Sequence, residues 1–362
     1  MRSSYRAEDV TLLLKDITGL VEPQPAAQRE RLIQAGRHYC EMLPIEYVPS
    51  RAYMEAYQEA LRHYAAATAH AVVSMGERIL ASRGEDVTVV SLARAGIPIG
   101  ILLKHYLERR CRRRIPHYAI SIIRGKCMDH NAMTYILDRH RAETVLFVDG
   151  WIGKGAILGE LERCVKAYPG VSPQLAVAAD PAGMTALYGT REDILIPSSC
   201  LNSTVSGLIS RTFLRDDIIG PADFHGAVYY GELAESDLSY AFIEAIEKAF
   251  PDTGKYTQTG AGKEGKEDTV RFLAGDTGAE EVKEIAAHFS IADINLVKPG
   301  IGETTRVLLR RVPWKILIRD GGEADQALAH IRRLAGEKGV EMISYPLRHY
   351  RACGLIKTMT DV

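Results

Sequence analysis

Cysteine is scarce in this chain of 362 residues. Six are present, at 40, 111, 127, 164, 200 and 353, and no pair has metal-ligand spacing or the look of a disulfide framework. No apolar run approaches the roughly 18 residues of a membrane span. The N-terminus, MRSSYRAEDV, has no apolar signal region. These absences predict a soluble protein in a reducing, cytoplasmic setting with no membrane partner. An excess of one charge is missing too. The net charge is −1, which argues against a polyanion binder by bulk charge alone. Local excess survives in 107–126, LERRCRRRIPHYAISIIRGK, with seven Lys/Arg against one acid. Its Arg109–Arg114 part also fits a solvated helix end.

What is present is enough apolar residue, 46%, for a real core. The length suits two ordinary domains. Residues 50–82 read as one long helix rich in Ala and Tyr. VTVVSLA (87–93), YAISIIR (118–124), TVLFVD (144–149) and QLAVAAD (174–180) read as buried strands alternating with helical segments. That alternation predicts an α/β fold with a doubly wound parallel sheet. Residues 251–268, PDTGKYTQTGAGKEGKED, lack periodicity and have linker composition. Beyond them VRFLAG, WKILIRD and VEMISYP read as strands, and AEEVKEIAAHF, GETTRVLLRRV and ADQALAHIRRLAGEKG as helices. The expected division is 1–250 with an N-terminal helical extension, a 251–268 linker, and 269–362.

Ligands of such sheets sit at the C-terminal strand ends. VLFVDGWIGKGAI (145–157) supplies a strand, Asp149, a glycine turn and a helix start. A Walker A loop is excluded, because Gly155 follows Gly153-Lys154 and Val148 holds the first glycine position. A dinucleotide fingerprint fits better, as Gly153-x-Gly155-x-x-x-Gly159 with Asp180 ending the next strand, but Trp151 is bulky in its turn. A third design fits the whole stretch. Asp149 accepts from ribose hydroxyls, and the amides of Gly150, Trp151, Ile152, Gly153, Lys154, Gly155 and Ala156 hold a 5′-phosphate at a helix N-terminus.

This stretch resembles the ribose-phosphate loop of type I phosphoribosyltransferases. SLARAGIPIG (91–100), with Arg94, Ala95 and Gly96, resembles their pyrophosphate loop. IIRGKCMDHNAMTYI (122–136), with Arg124 and Lys126, resembles their mobile hood. The resemblance implies transfer of ribose 5-phosphate from phosphoribosyl pyrophosphate, or the reverse phosphorolysis. Asp149 would hold the ribose and Mg²⁺; Arg94, Arg124 and Lys126 would stabilise departing pyrophosphate; Asp180 or Asp193 would act on the acceptor. The sequence departs from that pattern, with Gly150 for the second acid and Ile152 for a common Thr. The departure favours a second reading, a non-catalytic nucleotide sensor coupled to RNA binding.

HYCEMLPIEYVPS (38–50), ADPAGMTALYGTREDILIPSSCLNSTVSGLISRTF (179–213) and GPADFHGAVYY (220–230) resemble the StiP stress-inducible family. That family joins a phosphoribosyltransferase-like domain to a Pelota-type RNA-binding domain and is associated with tellurium-resistance gene clusters. It also carries a cysteine-peptidase label, for which Cys200 and His225, with Asn202 or Asp223, have the right residue types. PGIGETTRVLLRR (299–311), WKILIRD, GEKGVEMISYP and YRACGLI resemble the kink-turn-binding ribosomal protein and Pelota superfamily, a small α/β/α sandwich. Gly300, Gly302, Glu303 and Arg306 take the places of its RNA motif, and Arg310, Arg311 and Lys315 extend the surface. Residues 298–351 hold eleven Lys/Arg and six acids, a modest basic excess. A solvated helix face explains that excess equally well. The acceptor, the RNA target and the choice between monomer and homodimer are not legible.

Overall fold

The computed structural model describes residues 1–251 and 276–356. Most of the expected linker and the strand expected over 270–275 lie outside the described residues. The first unit follows the expected alternation closely. Helix α1 (Arg51–Arg83) precedes β1 (Thr88–Ala93), α2 (Gly96–Cys111) and β2 (His117–Ile123). Then come α3 (His130–Leu137), β3 (Val145–Trp151), α4 (Ala156–Val165), β4 (Leu175–Ala179) and α5 (Ser239–Lys248). The strands pair in parallel in the order β2-β1-β3-β4, extended by Thr11–Leu12 beside β2 and Tyr188–Thr190 beside β4.

Successive strand residues face opposite sides. Val89 and Leu146 join the core under α1, α2 and α5, while Val90 and Phe147 join the one under α3 and α4. Both faces are covered, which is why these strands are apolar throughout. The chain reverses direction between β1 and β3, so the crevice above their ends is the topological switch point. There α2 comes in close. A Cβ on Gly96 would stand 2.6 Å from the Val148 carbonyl oxygen.

The second unit contains α6 (Gly278–His288), β5 (Val297–Pro299), α7 (Ile301–Arg310), β6 (Pro313–Arg319), α8 (Ala329–Glu337), β7 (Glu341–Tyr345) and β8 (Ala352–Ile356). Its sheet runs β5-β8-β6-β7, with β6 and β7 parallel and the other pairs antiparallel. Strand β5 was not legible in the sequence, and α8 is shorter than its apolar pattern, because 326–328 form a separate turn. The units share a core: Ile301 and Leu308 of α7 lie in one apolar cluster with Ile196, Cys200 and Leu201.

Candidate active site at the switch point

Asp149 lies two residues before the end of β3, which runs on to Trp151, and is partly buried. Burial pushes its carboxyl up to about 7, against a backbone hydrogen bond from Gly150 and the charge of Arg306. The Gly150 N–H donates to Oδ1 at 2.7 Å. Asp149 is the lone carboxylate of this turn, a thin donor set for Mg²⁺. Gly155 caps α4 with φ 80°, where a Cβ would meet Met184. The rest of the turn is engaged by the second unit. Gly153 O accepts from Tyr350 Oη at 2.5 Å. Lys154 Nζ donates to Ile294 O at 2.6 Å and Val297 O at 3.2 Å. Burial, reinforced by Lys298 and Arg124, lowers its pKa to about 8. Trp151 faces Arg306, 6.0 Å from its ring centroid.

Arg94, just past β1, donates to Ile209 O (2.7 Å), Glu46 (2.9 Å) and Asn202 (3.3 Å). Ala95 caps α2 and Gly96 opens it. Arg124 reaches Asn295 Oδ1 of the second unit at 2.8 Å. The turn carrying Arg124 and Lys126 is fastened from below: Glu160 accepts from Gly125 N (2.9 Å) and Cys127 N (2.8 Å). Cys127 and Cys164 are disulfide-bonded. This corrects the cysteine reading. Their 37-residue separation matches no framework, and only the hairpin Cys127–Met128 beside β2 brings them together.

Cys200 and His225, paired in the sequence reading by residue type, are not hydrogen-bonded to each other. Cys200 is fully buried with Sγ 3.9 Å from Ala56 O. His225 Nδ1 contacts Ser121 Oγ at 2.8 Å, and its backbone N–H donates to Asp129 at 2.5 Å. The structure sets a different cysteine on a histidine. His38 Nδ1 lies 2.9 Å from Cys40 Sγ, and His38 Nε2 lies 3.1 Å from Arg124 O. A carbonyl only accepts, so Nε2 carries the proton and Nδ1 turns its lone pair to Cys40, whose thiol it faces and whose backbone N–H donates to it at 3.4 Å. Burial, then Glu41, pushes the Cys40 thiol up to about 11, with Lys126 pulling the other way. The sequence does contain this pair, as HYC in 38–40. The separation of two residues matches no nucleophile motif, and the third member is a backbone carbonyl 86 residues away.

The two candidate bases have structural work. Asp180 is buried and pairs with Arg191. Asp193 accepts from Ile301 N through both oxygens (3.0 and 3.1 Å) and from Arg351 N (2.8 Å). It thus caps α7, whose first turn holds the residues expected to contact RNA. That turn faces the first unit: Trp151, Gly153, Asp193, Ser199, Gly302 and Glu303 line one cleft. Arg306 pairs with Glu303 at 3.3 Å. Lys315 pairs with Glu341. Arg311 is the C-cap just past α7, and the Arg310 side chain lies outside the described residues.

A family model described as tellurite-like stress resistance cysteine protease StiP matches residues 3–247. One for the PELOTA RNA binding domain matches 276–358. A relative from Acinetobacter baylyi, named cysteine protease StiP, is 34% identical over 373 residues, covering 98% of this chain and 94% of its own. Those names correct the expected phosphoribosyltransferase activity, since both specify a cysteine protease. The physical ground is consistent. The glycine turn offers a single acid, and its Gly153 carbonyl and Lys154 are occupied by the second unit.

Proposed function

Because the chain belongs to the StiP family, we propose that it is a thiol-dependent hydrolase of the cysteine-peptidase class, with Cys40 as nucleophile and His38 as base. The observation that carries this reading is the 2.9 Å contact between Cys40 Sγ and His38 Nδ1, with Nε2 oriented by the Arg124 carbonyl. A thiol raised to about 11 is un-ionised at neutral pH. His38 therefore takes its proton as the sulfur attacks the peptide carbonyl. The same imidazolium returns the proton to the leaving amine, and water then cleaves the thioester. Lys126 supplies positive charge beside the sulfur. The thiol is fully covered at rest, in part by Leu214, whose carbonyl lies 3.6 Å from Sγ. A substrate enters when that segment moves.

The C-terminal unit, matched by an RNA-binding domain model, supplies RNA attachment through Gly300, Gly302, Glu303 and Arg306. Peptide-library hydrolysis by three variants tests the catalytic assignment. Cys40→Ala should abolish cleavage, and His38→Ala should slow it by about 10²–10⁴-fold, while Cys200→Ala leaves it intact. Full activity in Cys40→Ala together with loss in Cys200→Ala would move the nucleophile to Cys200.

A further inference from the structure

The segment that covers the thiol carries positive charge that hydrolysis does not need. Arg29, Arg94 and Arg306 all act on the Arg211 guanidinium, whose pKa burial, first, and then these neighbours lower to about 10. Glu46 opposes them, and it is already held by Arg94 at 2.9 Å. Arg211 makes no side-chain hydrogen bond or ion pair with the described residues, although it is mostly buried. Next to it stands an independent sign of a missing partner. Tyr230 is 3% exposed, its hydroxyl has no hydrogen-bond partner among the described residues, and the charges of Glu46, Arg94 and Arg211 all reach it. A buried guanidinium without a side-chain partner, next to an unpaired donor, is stable when an anion joins it.

The same chain segment connects this cluster to the dyad. Ile209 O receives Arg94 Nη1 at 2.7 Å, and Leu214 N donates to Cys40 O at 3.0 Å. Arg211 lies three residues before Leu214, so at most about 10 Å of chain separates them. An extended peptide spans that distance in three residues.

We propose that Arg211, Arg94 and Tyr230 form a specificity pocket for a carboxylate side chain, Asp or Glu, two or three residues from the bond to be cut. Arg211 and Arg94 supply the charge, and the Tyr230 hydroxyl donates the hydrogen bond that a carboxylate accepts and an amide oxygen accepts more weakly. The location relative to the cut bond rests on Cys40 being the nucleophile; carboxylate binding does not.

The test separates the two. In the full-length Cys40→Ala protein, hexapeptide pools carrying one Glu are compared by calorimetry with pools carrying Gln at the same position. Glu pools should bind at least tenfold tighter, and the gap should shrink with salt. Arg211→Ala should erase the preference. Tyr230→Phe, which removes one oxygen and leaves the ring packed, should reduce it several-fold. Equal binding of Glu and Gln pools, or a preference that survives both substitutions, overturns the pocket. So does displacement of the Glu pool by a single-stranded RNA oligonucleotide acting through Arg211, which would make the cluster a nucleic-acid contact. Tight Arg211-dependent binding of Glu peptides that the unsubstituted protein does not cleave would sink the nucleophile and leave the pocket standing.

Discussion

A carboxyl pushed up to about 7 by burial changes its charge across the neutral range, as Asp149 does near the end of β3. Its folded pKa lies above its unfolded value, so its contribution to stability is full below the unfolded pKa, near 4. That contribution is lost as pH rises toward 7. Asp149→Asn removes the ionisation and keeps the shape. The variant should match the parent near pH 4 and exceed it at pH 8 by about 1–2 kcal/mol, or roughly 3–6 °C in Tm. Melting curves at the two pH values decide it, and an offset independent of pH would show that ionisation is not the cause. The same residue shows how sequence and structure diverge. An acid at a strand end before a glycine turn reads as a ligand group. The structure instead lowers its affinity for charge by closing the crevice over it.

At the scale of elements, the turn 124–127 is where several functions meet. Its Arg124 carbonyl orients His38, its Arg124 side chain reaches Asn295, and its far end is bonded to α4 through Cys127–Cys164. The disulfide closes a 37-residue separation. Replacing both cysteines with serine should cost about 2–4 kcal/mol of stability. It should also lower hydrolysis more than Cys111→Ser does, because His38 loses a fixed carbonyl. Denaturant titration and peptide cleavage, read on the same samples, check both. Undiminished stability in the double variant would mean that Glu160 alone fastens the turn. Helix α7 is the other element under outside control, since its first turn is capped by an acid of the other unit.

The whole molecule places the glycine turn of the first unit against the first turn of α7 in the second. The turn of β3 and the first turn of α7 line one cleft. Tyr53 Oη and Tyr64 Oη donate to Leu309 O and Ala327 O, adding to the closure. On the proposed RNA assignment, closure against the first unit limits access to Gly302. Asp193→Ala leaves the N–H groups of Ile301 and Arg351 without their acceptor, a loss of about 1–3 kcal/mol for each buried group. Its RNA affinity should rise by about tenfold or more through removal of the closed state. Filter binding with a structured RNA measures this. If Asp193→Ala melts earlier yet binds RNA no better, the interface is not what limits access.

The apolar runs of β1 to β4, the long helix α1 and the glycines that follow Asp149 determined the parallel α/β fold and the position of the crevice. These are local signals: strand periodicity, helix length and turn chemistry act over a few residues. The sequence also showed the C-terminal domain that a PELOTA RNA-binding model matches, and the cysteine and histidine types a thiol hydrolase needs. It could not pair them. Cys200 with His225 satisfied chemistry alone, while His38 with Cys40 depended on a carbonyl 86 residues away. Tertiary structure also decided the Cys127–Cys164 bond, the capping of α7 by Asp193 and the gathering of Arg94, Arg211 and Arg306. Each joins groups far apart in the chain. Their proximity is set by how the helices, the sheet and the second unit bury apolar surface against one another, and residue spacing does not record that.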